Sequence, residues 1–249
     1  MIYHILIPIK NEENNLPDLL QYIRNMNNMK MKYYFIISSS ADKSKEIVEK
    51  WINSQKKIDS MIMYCNNRKS EALKKGAEFA LKSSDVDDFF IFFDSNGVIK
   101  ARNLKKISTF IQDTADIYIG NRNLAYYTTT NETRWTLKRY QFINYLSKFF
   151  FNLPHIDVEC GFKILSRRAV TIWLKHKRYC GLFFDGELIS IMIDNSLKII
   201  SIDIDCEFKK RRYDFINTNF ETLNFLAYSV YAFVEIFRSK ISHSFFYSL

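Results

Sequence analysis

The chain has 249 residues, 36 Lys+Arg against 27 Asp+Glu for a net charge of +9, and only six glycines. No two glycines stand two apart, and the one GxxxxG, Gly181 to Gly186, is followed by Glu187-Leu188; this excludes a GxGxxG dinucleotide fingerprint and a P-loop. With 47% apolar and 16% aromatic residues, the chain is rich enough for a substantial core and is not of disordered composition.

Residues 2–9 (IYHILIPI) are an apolar run suited to a buried strand. Asn14, Asn15 and Pro17 then open a helix, with Leu16, Leu19, Leu20, Ile23 and Met26 at helical spacing. A second strand spans 33–38, and Asp42 caps a helix carrying Ile47, Val48, Trp51 and Ile52. A third strand at 60–64, a helix at 69–82 and a fourth strand at 88–93 follow. Such β-α alternation predicts a doubly wound, mostly parallel α/β sheet flanked by helices. Ligands on these sheets lie beyond the carboxyl ends of the strands. That points to Lys10–Glu13, Ser38–Ser40 and Asp94–Asn96 as one polar edge.

The second half is less regular. We expect a helix directly after Thr114 and a strand at 116–119 ending in Gly120-Asn121-Arg122, then a polar loop 123–131 and a long helix over 132–151. A turn at Pro154 leads to Asp157, then a strand at 162–166 and a helix at 184–195. Residues 198–208 alternate, with Ile200, Ile202, Ile204, Cys206 and Phe208 on one face. Four cations, Lys209 to Arg212, and an aromatic amphipathic helix at 219–240 close the chain. The domain reading is 1–212 for the α/β unit and 213–249 for a helical, membrane-facing segment.

Cys65, Cys160, Cys180 and Cys206 are widely spaced, without a CxxC, so thiols are expected in place of a zinc site. The N-terminus lacks a basic n-region and a cleavage site, and the longest apolar run, Thr222 to Val234, stops at Glu235. A soluble or peripheral protein is expected. The positive charge accompanies no helix-turn-helix, RRM or zinc-finger pattern, so nucleic acid is not an expected partner.

Five segments in order carry a family resemblance. Pro8-Ile9-Lys10-Asn11-Glu12-Glu13-Asn14-Asn15-Leu16 resembles the P-x-x-N-E-x-x-N-L opening of family 2 glycosyltransferases with the GT-A fold. Asp94-Ser95-Asn96-Gly97 stands at that family's D-x-D, and Gly120-Asn121-Arg122 is similar to its G-S-R. Asp157-Val158-Glu159-Cys160-Gly161-Phe162-Lys163 resembles D-x-x-S-G-F-R, and Phe183-Phe184-Asp185-Gly186-Glu187-Leu188 resembles F-x-x-E-L. The last three point to the polyprenol-phosphate branch, which includes dolichol-phosphate mannosyltransferase.

The resemblance implies a reaction in which a UDP- or GDP-linked sugar passes, with inversion, to a polyprenyl phosphate at the cytoplasmic membrane face. It also implies site residues. Pro8, Ile9, Asn11, Glu12, Ser38, Lys69, Asp94, Ser95, Asn96 and Arg122 would bind the donor. Asp94 and Asn96 would hold Mg²⁺ or Mn²⁺, although Asn96 replaces the second carboxylate of the D-x-D. Ser38 stands where relatives carry the aspartate that reads the base. Asp157, Glu187 and Asp94 are the expected catalytic carboxylates, and Arg134, Lys209, Arg211 and Arg212 the acceptor-phosphate cations.

Each feature has a structural alternative. Glu12 also suits a helix N-terminal acid, Lys69 a solvated helix start, and Arg122 and Arg134 surface ion pairs. Asp157 also suits a helix cap, Glu187 a buried ion pair, and residues 209–212 a solvated basic face. The 219–240 helix suits either a membrane interface or packing on the core. The activity alternatives are transfer to a saccharide in surface-polysaccharide synthesis, or a non-catalytic GT-A scaffold.

Overall fold

The YHILIPI run forms β1 (Tyr3–Ile9), buried along nearly its whole length because it lies between two parallel neighbours. A computed structural model of the chain describes residues 1–26, 30–55, 57–65, 68–111, 115–122, 141–142, 145, 149, 157–176 and 184–207. In chain order β1 is followed by α1 (Leu16–Arg24), β2 (Met31–Ser38), α2 (Ser44–Ser54), β3 (Ser60–Cys65), α3 (Lys69–Leu81) and β4 (Phe89–Phe93). After a 3₁₀ turn (Ala101–Lys106) come α4 (Ile107–Phe110), β5 (Ile117–Asn121), β6 (Phe162–Ser166), α5 (Arg167–Lys175), α6 (Phe184–Asp194) and β7 (Ile199–Asp203).

The seven strands form one sheet in the order β3-β2-β1-β4-β6-β5-β7. β1 to β4 pair in parallel, as the β-α alternation predicts. β6 is the exception: it runs antiparallel between β4 and β5, and β5 pairs in parallel with β7. Two antiparallel pairings in succession turn β5 back to the direction of β4. The carboxyl ends of β1, β2, β4, β5 and β7 and the amino end of β6 therefore share one edge.

Alternate strand residues face opposite layers. Ile5, Ile7, Ile9, Phe35, Ile91 and Phe93 pack with α1, α2 and the 3₁₀ turn. Leu6, Tyr34, Ile36, Phe90 and Phe92 pack with α3, α5 and α6 on the other face. At the far edge His4 is fully buried, with Nδ1 at 2.9 Å from Tyr34 Oη and Nε2 at 3.2 Å from Asp88 Oδ2. Asp88 also accepts from the Ile2 and Asp85 backbone N–H groups. This buried polar set is satisfied internally and ties the start of β1 to the start of β4.

Several local expectations are revised. Asn15 occupies the N-cap of α1 without a side-chain cap bond; its Nδ2 donates to Glu12 Oε2 at 2.7 Å instead. Asp42 acts one residue ahead of the α2 cap, accepting from Ser44 N at 3.0 Å. No helix follows Thr114: Ala115 leads into β5, and the helical turns lie earlier, at 101–110. α5 was not foreseen; the Ser166 side chain caps it by accepting from Ala169 N.

The alternating 198–208 stretch is a strand only over Ile199–Asp203. Beyond it Asp205 is pinned to the 3₁₀ turn, where its backbone exchanges hydrogen bonds with the Asn103 amide and its carboxylate meets Arg102 and Lys106. The loop 123–131 and the 219–240 helix lie outside the described residues, as does most of the expected 132–151 helix. No helix among the described residues is long and apolar enough to cross a membrane.

Candidate active site

The loops after β1 and β2 are laced together at the shared edge. Asn11, at a left-handed φ of 56°, donates its N–H to Ser40 Oγ and accepts from Ala41 N through Oδ1. Glu12 N donates to Ser44 Oγ at 2.7 Å and Glu13 N to Asp42 Oδ2 at 2.9 Å. Glu13 Oε2 in turn accepts from Lys43 N. The polar NEE segment therefore builds a rigid rim beside Ser38, which is itself buried at the end of β2. Among the expected donor-binding residues, Ile9 turns its side chain into the core, leaving only its backbone at the rim.

Asp94 follows β4 directly. Its backbone N–H donates to Gly161 O at 3.2 Å, and the Ser95 hydroxyl donates to Pro8 O at 2.8 Å, fixing the turn against β1. Gly97 takes a left-handed φ of 72°, which the Asn-Gly turn needs. Asn96 closes the same turn, its Oδ1 accepting from Val98 N at 3.0 Å. Lys69, the first residue of α3, reaches across to Asp94 Oδ1 at 2.6 Å. A cavity of about 230 Å³ lies beside Asp94, between α1 and residues 95–102.

This geometry bears on the expected metal. The amide oxygen of Asn96 is committed to its own turn, and one Asp94 oxygen is held by an ammonium. Among the described residues no three His, Cys, Asp or Glu side chains converge as metal ligands do. As arranged, the Asp94–Asn96 pair does not fit a divalent ion: it offers one carboxylate, already paired with a cation.

Arg122 and Asp157 form a bidentate pair, with Nε to Oδ2 and Nη2 to Oδ1 both at 2.6 Å, and Arg122 N also donates to Oδ2. Both side chains are buried, at 3% and 4% exposure, so the surface ion pair considered for Arg122 is instead an internal one. Asp157 has both oxygens committed and sets the plane of the guanidinium at the end of β5.

Three further residues at this edge escaped sequence reasoning. Lys163, fully buried on β6, pairs with Asp185 of α6 and donates to Cys160 O at 2.6 Å. Glu187 is buried two residues beyond Asp185, and so points to a different side of α6. Glu159 is partly buried, and its Oε1 lies out of solvent with no hydrogen-bond partner. A lysine inside the apolar FKILS strand and an aspartate heading an apolar helix were the available signals for the first pair, since buried charges come paired. Glu159 had no such signal.

Burial and the nearby Asp185 charge push the Glu159 carboxyl up to about 8, against the pull of Lys163, Lys69 and Arg122. Burial would lower the Lys69 pKa, but Asp94, Asp185 and Glu159 outweigh it and hold the ammonium above its ordinary value. Cys160 is pushed up to about 12 by burial, so it is an inert thiol.

The Glu159 shift has a testable sign. Between the ordinary value of 4.5 and about 8 the folded state binds more protons than the unfolded state. Stability is therefore highest below this window and falls as pH rises through it. Glu159→Gln keeps a neutral side chain of similar shape and is expected to flatten the fall. Urea midpoints from about pH 5 to pH 9 check this; parallel curves for the two proteins would refute it.

Glu12, Ser38, Lys69, Asp94, Ser95, Asn96, Arg122, Asp157 and Glu187 all lie on elements that meet at this edge. Arg134, Lys209, Arg211 and Arg212 lie outside the described residues. Comparison with known proteins bears on the fold and the family. The chain is similar to glucosyl-3-phosphoglycerate synthase from Mycobacterium tuberculosis in complex with UDP, at TM-score 0.60 and 10% identity, over 96% of this chain and 80% of that one. The same synthase with Mn²⁺, UDP and glucosyl-3-phosphoglycerate gives TM-score 0.58 at 12% identity, over 94% and 79%.

Residues 1–349 of S. aureus TarS give TM-score 0.51 at 17% identity, over 81% of this chain and 58% of that one, so the chain spans little more than half of the TarS fragment. These likenesses establish the GT-A fold. No curated protein matches the chain. The model of the family described as Glycosyl transferase family 2 matches residues 4–173, a span that holds Glu12, Lys69, Asp94, Arg122, Asp157 and Gly161. A match over more than half of the sequence makes this chain a member of glycosyl transferase family 2.

Proposed function

We propose that the chain moves a sugar from a nucleotide-diphospho-sugar to a polyprenyl phosphate at the cytoplasmic membrane face, inverting the anomeric carbon. The donor class is supported by the family and by the UDP named for two of the similar structures. The acceptor reading is supported by one observation: three carboxylates at this edge are already paired with cations. Asp157 is held at both oxygens by Arg122, and one oxygen each of Asp94 and Asp185 is held by Lys69 and Lys163.

A saccharide hydroxyl needs a base to take its proton. A phosphate monoester, with a second pKa near ~6, does not. One phosphate oxygen bonds to the anomeric carbon, the bond from that carbon to the diphosphate breaks, and the nucleoside diphosphate leaves with the electron pair. No proton need move. The chain's task is then alignment and stabilisation of the departing charge. The rim of Asn11, Glu12 and Ser38 holds the nucleoside end, and Arg122, enclosed with Asp157, fixes the end of β5 beside the phosphates. Arg134 and the Lys209, Arg211 and Arg212 run supply the acceptor phosphate and anionic head groups with positive charge.

The test is a panel of UDP- and GDP-sugars offered with and without a short-chain polyprenyl phosphate, and with free glycans. A lipid-linked phosphosugar formed only in the presence of the lipid is the expected product. Transfer to free glycans, with none to lipid, would overturn the acceptor.

A further inference from the structure

Lys69 stands at the first position of the 13-residue helix α3, preceded by Arg68. The helix dipole favours acids there and disfavours cations, so local stability does not account for the residue. It is also not simply solvated, because the ammonium turns inward onto Asp94 Oδ1 at 2.6 Å.

We propose that the Lys69 ammonium takes the place of a divalent cation, bridging Asp94 to the diphosphate of the donor. The inference rests on the nucleotide-sugar reading above and deepens it. An ammonium has three N–H donors, of which the observed Asp94 contact uses one, so it can serve a carboxylate and phosphate oxygens together. Among the described residues at this edge, three cations paired with carboxylates differ in access. The side chains of Arg122 and Lys163 are 3% and 1% exposed, whereas that of Lys69 is 39% exposed.

Lys69 is therefore the cation of the three that a ligand reaches without breaking an enclosed pair. Asp94 anchors it, and the N-terminal N–H groups of α3 add positive potential beside it. The replacement of the second D-x-D carboxylate by Asn96 fits this reading, because the Asn96 oxygen serves Val98 N in the turn. A metal at Asp94 would face the fixed ammonium and find no second carboxylate in the turn.

Calorimetric titration of the full chain with UDP, GDP and dTDP, in EDTA and in Mn²⁺, tests the inference without relying on turnover. The expected result is binding in EDTA within about threefold of that in Mn²⁺. Lys69→Met should weaken binding in EDTA at least tenfold, and Lys69→Arg should retain most of it, with thermal melts confirming that both variants fold. Nucleotide binding that requires Mn²⁺, or binding unchanged in Lys69→Met, overturns the ammonium bridge and leaves the donor reading standing. Failure of all three nucleotides to bind under either condition overturns the donor reading itself, and the bridge with it.

Discussion

Gly161→Ala is expected to reduce sugar transfer by roughly 10²-fold while leaving a folded protein. A methyl group at 161 would fall on the carboxyl of Asp94, inside van der Waals contact of all three of its terminal atoms. The obstacle is space: among the described residues, Gly97 is the glycine at a left-handed φ. The neighbouring backbones are joined, with Asp94 N bonded to Gly161 O, so the side chain has to give way. Asp94 then leaves Lys69, and a displacement of about 1 Å in a positioning group is worth a factor of this size.

Overpacking of this kind costs about 1–3 kcal/mol of stability. Transfer assays and urea denaturation on the same preparation separate the two effects. Transfer within twofold of wild type would show that Asp94 has no positioning role.

Asp157→Ala is expected to lower stability by about 3–5 kcal/mol, because it leaves the Arg122 guanidinium buried without its counter-charge. Transfer should be lost as well, but loss of folding alone would produce that result. The informative variant is Arg122→Met with Asp157→Leu, which removes both charges at similar volume. Buried pairs replaced in this way often return to wild-type stability or exceed it. Recovery of stability without transfer would show that the pair is kept for the geometry of the site; recovery of both would make it purely structural.

The three ion pairs at this edge differ in their access to solvent. Arg122–Asp157 and Lys163–Asp185 are enclosed, while Lys69–Asp94 opens to solvent at the helix start. Enclosed pairs hold a geometry, and an open pair can exchange partners with a ligand. The same difference shifts Asp157, expected to act on the sugar or acceptor, toward positioning Arg122.

Much of the amino-terminal half was legible in advance because its signals are local. The YHILIPI, YYFIIS and DFFIFF runs state their burial directly, and Pro17 and Asp42 mark helix starts by their backbone chemistry. The antiparallel β6 was not legible in this way. FKILS reads as a strand in either direction, and only its pairing with Phe89–Phe93 on one side and Ile117–Ile119 on the other decides which. Asn96 could be read as a weakened metal ligand because sequence shows an amide oxygen but not the Val98 N–H that occupies it.

The sequence by itself determined the strand–helix alternation, the polar edge at residues 10–12, 38 and 94–96, and the exclusion of the GxGxxG and P-loop motifs. Periodicity, turn chemistry and glycine spacing are properties of neighbours along the chain. Tertiary structure alone decided which charge meets which: Lys69 with Asp94, Arg122 with Asp157, and Lys163 with Asp185. Each pair joins residues from separate elements, and burial makes an unpaired charge too costly to leave alone. Strand order brings the partners to one edge, and sequence spacing carries no record of that order.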